Sequence, residues 1–162
     1  MSEPIRSIKT PVRLQYTVTA GEAQSRFLRG ILEKKLLGER CPVCRCVYVP
    51  PRGACPTCAV GTKEVVEVKD RGTITTFCVI NVPVEGKKIE LPYVVASIIL
   101  DGADIEIFHL IREIPVNDIR MGLRVEAVWV PPGEMAPTLE SIMHFKPTGE
   151  PDASAEWLKE HT

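Results

Sequence analysis

Aromatic residues are scarce in this 162-residue chain: Phe, Trp and Tyr together make up 6%. Single-stranded nucleic acid is usually held by stacking its bases on aromatic side chains beside a cationic groove. The formal net charge is −1, so the overall field does not gather a polyanion either. A nucleic-acid-binding module is therefore the weaker reading, and no nucleic-acid partner is expected. No apolar run approaches the ~20 residues that span a bilayer, so no membrane partner is expected. The opening stretch, MSEPIRSIKTPVR, lacks the apolar core of a signal peptide, which points to a reducing, cytoplasmic setting.

Catalytic ingredients are also thin. There is no P-loop and no dinucleotide glycine fingerprint. The three histidines are His109, His144 and His161. The first two fall in strand-like segments, and the third sits beside the C-terminus, where mobility is expected. Cys78 in TTFCVIN reads most simply as a buried core residue. Asp101, Asp104 and Glu106 flank a hairpin turn and read as solvated. The chain is not expected to be catalytic alone.

What is present is concentrated. Five of the six cysteines lie in RCPVCRCVYVPPRGACPTC, residues 40–58. Four of them form two CPxC knuckles, Cys41 with Cys44 and Cys55 with Cys58. In a non-secreted chain, paired knuckles favour thiolate ligation over disulfides. Four thiolates satisfy tetrahedral zinc and leave it no open position for water, so one structural Zn2+ is expected rather than a catalytic one. A redox role for Cys41 and Cys44 would require a labile metal. Cys46 reads as a hairpin residue, the intervening CVYVPPRGA forming the hairpin that joins the knuckles.

Around this module the periodicity changes. Residues 1–18 read as an extended N-terminal arm that lies on a partner or frays. Residues 19–38 read as a helix, with capping-box spacing at Thr19 and Glu22 and Gly38 placed to end it. Phe27, Leu28, Ile31 and Leu32 fall on one apolar stripe and are candidates for a partner interface. Residues 39–62 form the cysteine module. From 63 to 148 short β-branched runs alternate with turn residues: EVVEVK, GTITTFCVINV, PYVVASIILDG, ADIEIFHLI, LRVEAVWVPP and TLESIMHFKP, with VEGKK as a turn. That pattern predicts a small antiparallel barrel. Residues 149–162 form a tail, with a helix start at Asp152.

The charge is uneven. Residues 26–63 carry eight basic and two acidic residues, a formal balance of +6, against −7 for the rest of the chain. Even after zinc tetrathiolate removes two charges, a positive region remains. Arg40, Arg45 and Arg52 are the best-placed candidates for the phosphates of a CoA ligand; ordinary surface solvation is the competing reading.

The order helix, ribbon, barrel resembles the domain-of-unknown-function family 35: acyl-CoA-associated OB-fold proteins with a rubredoxin-like zinc ribbon. The resemblance spans about residues 22–147 and rests on FLRGILEKKLLGERCPVCRCVYVPPRGACPTC, GTITTFCVI, PYVVASIILDG, MGLRVEAVWV and HFKP. The cysteine pairs alone occur in many zinc ribbons; their combination with the GT-strand and the PYVVA strand is more specific. Some members lose the ribbon cysteines, whereas this chain keeps all four. The resemblance implies a mainly β protein: an N-terminal amphipathic helix, a zinc ribbon, then a small antiparallel OB-fold barrel. It also implies an accessory subunit in a hetero-oligomer with a thiolase-superfamily enzyme, contacting acyl-CoA thioester indirectly. The leading partner is a lipid-transfer-protein-like aldolase of steroid side-chain breakdown. A thiolase or a hydroxymethylglutaryl-CoA synthase is the alternative, and a zinc-ribbon/OB nucleic-acid module the further one.

Overall fold

The computed structural model describes residue 7 and residues 14–83 and 89–161. Most of the arm before residue 14 and the VEGKK turn at 84–88 lie outside the described residues. The first helix, α1, spans Glu22–Leu32. It starts later than the capping-box reading: Gly21 is the N-cap, with no side-chain cap, and Thr19 lies upstream. It also stops earlier, because Lys34 takes a left-handed turn at φ 57°. The Lys35 N–H then bonds Gly30 O at 2.9 Å and Lys34 N–H bonds Ile31 O at 3.0 Å. These are the two hydrogen bonds of a Schellman ending. Leu37 folds back over the helix, where a Cβ on Gly30 would stand 2.9 Å from its side chain and 3.0 Å from Lys35 O.

Gly38 is therefore not a helix stop. It lies inside strand β1 (Leu36–Arg40), which pairs antiparallel with β2 (Val47–Tyr48) and β5 (Glu64–Val68). The run EVVEVK thus belongs to the ribbon sheet, not to the barrel. Nor is CVYVPPRGA one hairpin. β2 turns back on β1, while β3 (Ala54–Cys55) pairs with β4 (Val60–Gly61), so each knuckle caps its own strand pair.

Five strands close the barrel: β6 (Arg71–Ile80), β7 (Tyr93–Leu100), β8 (Glu106–Ile111), β9 (Arg124–Trp129) and β10 (Ile142–Pro147). The closed order is β10-β8-β7-β6-β9. All pairings are antiparallel except β10 with β8, which is parallel. The barrel is closed and OB-like, as the family resemblance implies; the strand pattern alone points to a small antiparallel barrel, from which the parallel β10–β8 pair departs. Gly72 permits closure, since a Cβ there would lie 2.2 Å from the Ile99 carbonyl oxygen.

Alternate residues of β7, Val94, Ala96, Ile98 and Leu100, point inward onto Ile74, Ile107, Val125 and Phe145. The same core continues through Leu36, Val47 and Val49 to Phe27 and Ile31. Helix, ribbon and barrel thus share one apolar interior. Each of these side chains except the small Ala96 contributes roughly 1.5–3 kcal/mol by leaving water. A bulge between Ile74 and Thr76 changes which face of β6 looks outward. Cys78 is consequently exposed rather than buried.

The tail folds back on the barrel. Asp152 does not cap a helix; it meets Arg120 Nη2 at 2.9 Å. Ser154 Oγ accepts the Trp157 N–H at 3.1 Å and caps α2 (Ala155–His161). Among the described residues no helix is long and apolar enough to cross a membrane.

Candidate metal centre and its surroundings

Both knuckles use the same local device. After each CPxC, the chain turns through a left-handed residue, Arg45 at φ 66° and Ala59 at φ 54°. Arg45 N–H bonds Cys41 O at 3.1 Å, and Ala59 N–H bonds Cys55 O at 2.9 Å. The turns aim amide protons at sulfur: Val43 N–H lies 3.4 Å from Cys41 Sγ, and Cys58 N–H 3.4 Å from Cys55 Sγ. The Sγ atoms of Cys41, Cys44, Cys55 and Cys58 all lie within 4.8 Å of one another.

Sulfurs bound at about 2.3 Å around a tetrahedral zinc stand about 3.8 Å apart. The Cys44–Cys55 separation is 3.7 Å. The donor set therefore fits the ion, and the zinc it holds is a cross-link with all four positions taken by protein. Cys41 and Cys55 face the interior, whereas Cys44 is exposed. Cys46 stands outside the four-sulfur group.

Tyr48 completes the site. Buried between the knuckles, it places its hydroxyl 3.2 Å from Cys55 Sγ. That hydrogen bond holds the Cys55 thiol down to about 6 and drives the tyrosine hydroxyl well above its usual range. The neighbouring Cys44 sulfur pushes Cys58 up to about 12. Sulfurs packed this closely resist joint ionisation, which a divalent cation relieves. Tyr48 was not anticipated from sequence; the signal was a lone aromatic between the knuckles.

Two further residues missed from sequence hold the ribbon to its surroundings. Glu39 is 2% exposed, yet its carboxylate is fully engaged. It accepts from Arg26 Nη1 at 2.9 Å, Thr62 Oγ1 at 2.8 Å and the Gly53 N–H at 3.2 Å. Asp104, read as solvated, instead accepts the Val47 N–H at 2.7 Å, while its own N–H bonds Val47 O at 3.0 Å. This reciprocal pair joins β2 to the β7–β8 turn. Asp101 is forked by Arg124 at 2.7 and 2.6 Å, and Glu106 accepts from Thr75 Oγ1.

The three arginine candidates are not gathered into one site. Arg40 Nε and Arg45 Nη1 both lean on Glu64, at 3.0 and 3.2 Å. Arg52 lies apart, its guanidinium 5.4 Å above the Tyr48 ring. The helix stripe also divides. Phe27 and Ile31 are 2% and 0% exposed within this chain's own core, which removes them from any partner interface. Leu28 is half-buried, and Leu32 is 45% exposed.

The histidines are spoken for. His109 packs edge-on to Phe145 at 5.4 Å and accepts the Leu110 N–H on Nδ1 at 3.0 Å. Burial lowers its pKa. His144 Nε2 meets Glu113 at 2.7 Å. His161, expected to be mobile, stacks on Trp157 at 4.0 Å.

Comparison with known proteins finds the same two modules but sets the boundary at residues 64–65, so that nearly all of β5 falls on the barrel side. Residues 29–64 match the ChsH2 rubredoxin-like zinc ribbon domain, and residues 65–130 match the ChsH2 C-terminal OB-fold domain. A DUF35 domain-containing scaffold protein of Methanocaldococcus jannaschii is 35% identical over 96 residues, 58% of this chain and 67% of that protein. One from Methanothermobacter thermautotrophicus is 34% identical over 96 residues, 58% of this chain and 71% of that protein. Among solved structures, a chain described as Ltp2-ChsH2(DUF35) aldolase aligns at TM-score 0.60 and 22% identity, covering 81% of this chain and 98% of its own. A DUF35-family protein of unknown function from Sulfolobus solfataricus aligns at TM-score 0.61 and 21% identity, covering 78% and 86%. The two solved structures share the fold, the archaeal scaffold proteins share the sequence, and the chain belongs to the DUF35 family.

Proposed function

We propose that this chain is an accessory subunit, without catalysis of its own, that binds and supports a thiolase-superfamily enzyme acting on CoA thioesters. The preferred partner is a lipid-transfer-protein-like aldolase, cleaving a carbon–carbon bond of a steroid side-chain acyl-CoA in the retro-aldol direction. The observation that carries the reading is the saturated metal centre. Its four sulfurs converge within 4.8 Å, so zinc there binds no substrate and instead fixes the shape of the surface around it. The name of the archaeal relatives, scaffold proteins, supports that role. So does the shared fold with a chain of an aldolase complex.

The contact with CoA is indirect. Arg40 and Arg45 share one carboxylate, Glu64, beside a knuckle whose zinc tetrathiolate itself carries a formal negative charge. What the pair offers the phosphates of CoA bound by the partner is therefore its directional N–H donors, not a net positive charge.

The test is co-expression with the thiolase-fold protein encoded beside this chain, followed by purification through a tag on either one. A stable hetero-oligomer is expected. Failure of the two to associate would sink the proposal. If the protein that co-purifies is a thiolase or a hydroxymethylglutaryl-CoA synthase, the supporting role stands and the aldolase assignment falls.

A further inference from the structure

Three shallow depressions on one side of the molecule share their walls. The largest, 1010 Å³, runs beside α1 and is lined by Leu28, Arg52 and Leu139. A second has Leu139, Phe108 and Met143 along its wall. A third lies between Arg52 and Phe108. Each depression therefore shares one of these residues with each of the other two. Together they form one face, reaching from the helix across the ribbon loop to the barrel. At its middle Phe108 is 71% exposed and Met143 43%.

The chemistry of this face is that of a protein interface. Aromatic, Met and Arg side chains are enriched at interface centres, and contiguous exposed apolar surface marks association sites. A small-molecule site would enclose most of its ligand; these depressions are open. Arg52 adds a charge requirement. Among the described residues it makes no ion pair, unlike Arg40 and Arg45; Asp104, Glu106 and Glu160 line the same depression, but Asp104 is bonded to the Val47 N–H and Glu106 to Thr75. Tyr48 supports it from beneath, and Tyr48 is itself anchored on Cys55, so the guanidinium is presented from a rigid base. The exposed arm residues Leu14, Tyr16 and Val18 lead into Gly21, at the rim of the same groove.

We infer that this face, centred on Phe108, Leu139 and Arg52, is the seat of a partner protein that lays an apolar ridge across it and sets a carboxylate on Arg52. The inference rests on the supporting role proposed above and names the partner as the thiolase-fold enzyme. Zinc enters the interface through the line Cys55, Tyr48, Arg52, although no sulfur touches the partner.

The experiment measures the affinity of the co-expressed thiolase-fold protein for the wild-type chain and for F108E, L139E and R52E. The comparison variant is V82E, at a position 71% exposed and outside all three depressions. Zinc content and the urea midpoint show that each variant folds. The expected result is that F108E, L139E and R52E each weaken binding by about tenfold or more, while V82E binds as wild type. Unchanged affinity in folded F108E and L139E overturns the inference and leaves the supporting role intact. A wild-type chain that binds no thiolase-fold protein overturns both. If the chain alone forms a dimer that F108E abolishes, the face belongs to a second copy, and the inference is overturned in that form.

Discussion

Glu39 carries more of the architecture than any single cysteine-proximal residue outside the metal set. Its buried carboxylate collects donors from α1, from the ribbon loop before β3 and from Thr62. Removing it strands the buried Thr62 hydroxyl and takes from Arg26 its interior partner. Glu39→Ala is expected to lower stability by about 3 kcal/mol in urea unfolding; a change below about 0.5 kcal/mol would show that water replaces the carboxylate without loss. His109 makes a second prediction at this scale. Burial lowers its pKa below the ordinary 6.5. The stability this confers is complete above 6.5 and is lost as pH falls through the lower folded-state value. His109→Asn keeps an acceptor for the Leu110 amide. Its melting temperature should therefore fall less than that of wild type between about pH 7 and pH 5. Equal slopes would assign the acid sensitivity to other groups.

At the scale of elements, Gly30 separates propensity from packing. In an exposed helix Gly→Ala stabilises by about 1 kcal/mol. Here the added Cβ meets Leu37 and the Lys35 carbonyl at about van der Waals overlap, 2.9 and 3.0 Å. Gly30→Ala should therefore destabilise, by about 1–2 kcal/mol in thermal or urea unfolding; a stabilised variant would mean that the helix ending gives way easily. The same turn explains what the sequence could and could not reveal. The apolar repeat at Phe27 and Ile31 marked α1 correctly, and β-branched runs marked the barrel strands. The helix end was hidden because it depends on a left-handed Lys34, a conformation lysine rarely advertises. With the helix drawn to Gly38, β1 disappeared from view, and EVVEVK lost the neighbour that claims it for the ribbon sheet. Cys78 was misplaced for a related reason, since the bulge at Thr75 shifts the inward phase of β6.

The whole molecule is one main apolar core, with a smaller cluster around the metal cysteines and a tail strapped onto the barrel. The cysteine spacing made the metal set legible at once, because ligand geometry is local. The residues that couple it to the rest, Tyr48, Glu39 and Asp104, make contacts set by tertiary packing and left no comparable mark in the chain. The central claim is that this scaffold enables chemistry carried by another protein. Its most direct test is the rate of CoA-thioester carbon–carbon cleavage by the thiolase-fold protein alone, by this chain alone, and by the two together. The account predicts turnover only in the joint sample, lost again when a chelator strips the zinc from this chain. Full activity of the thiolase-fold protein alone, or any cleavage by this chain alone, would contradict it.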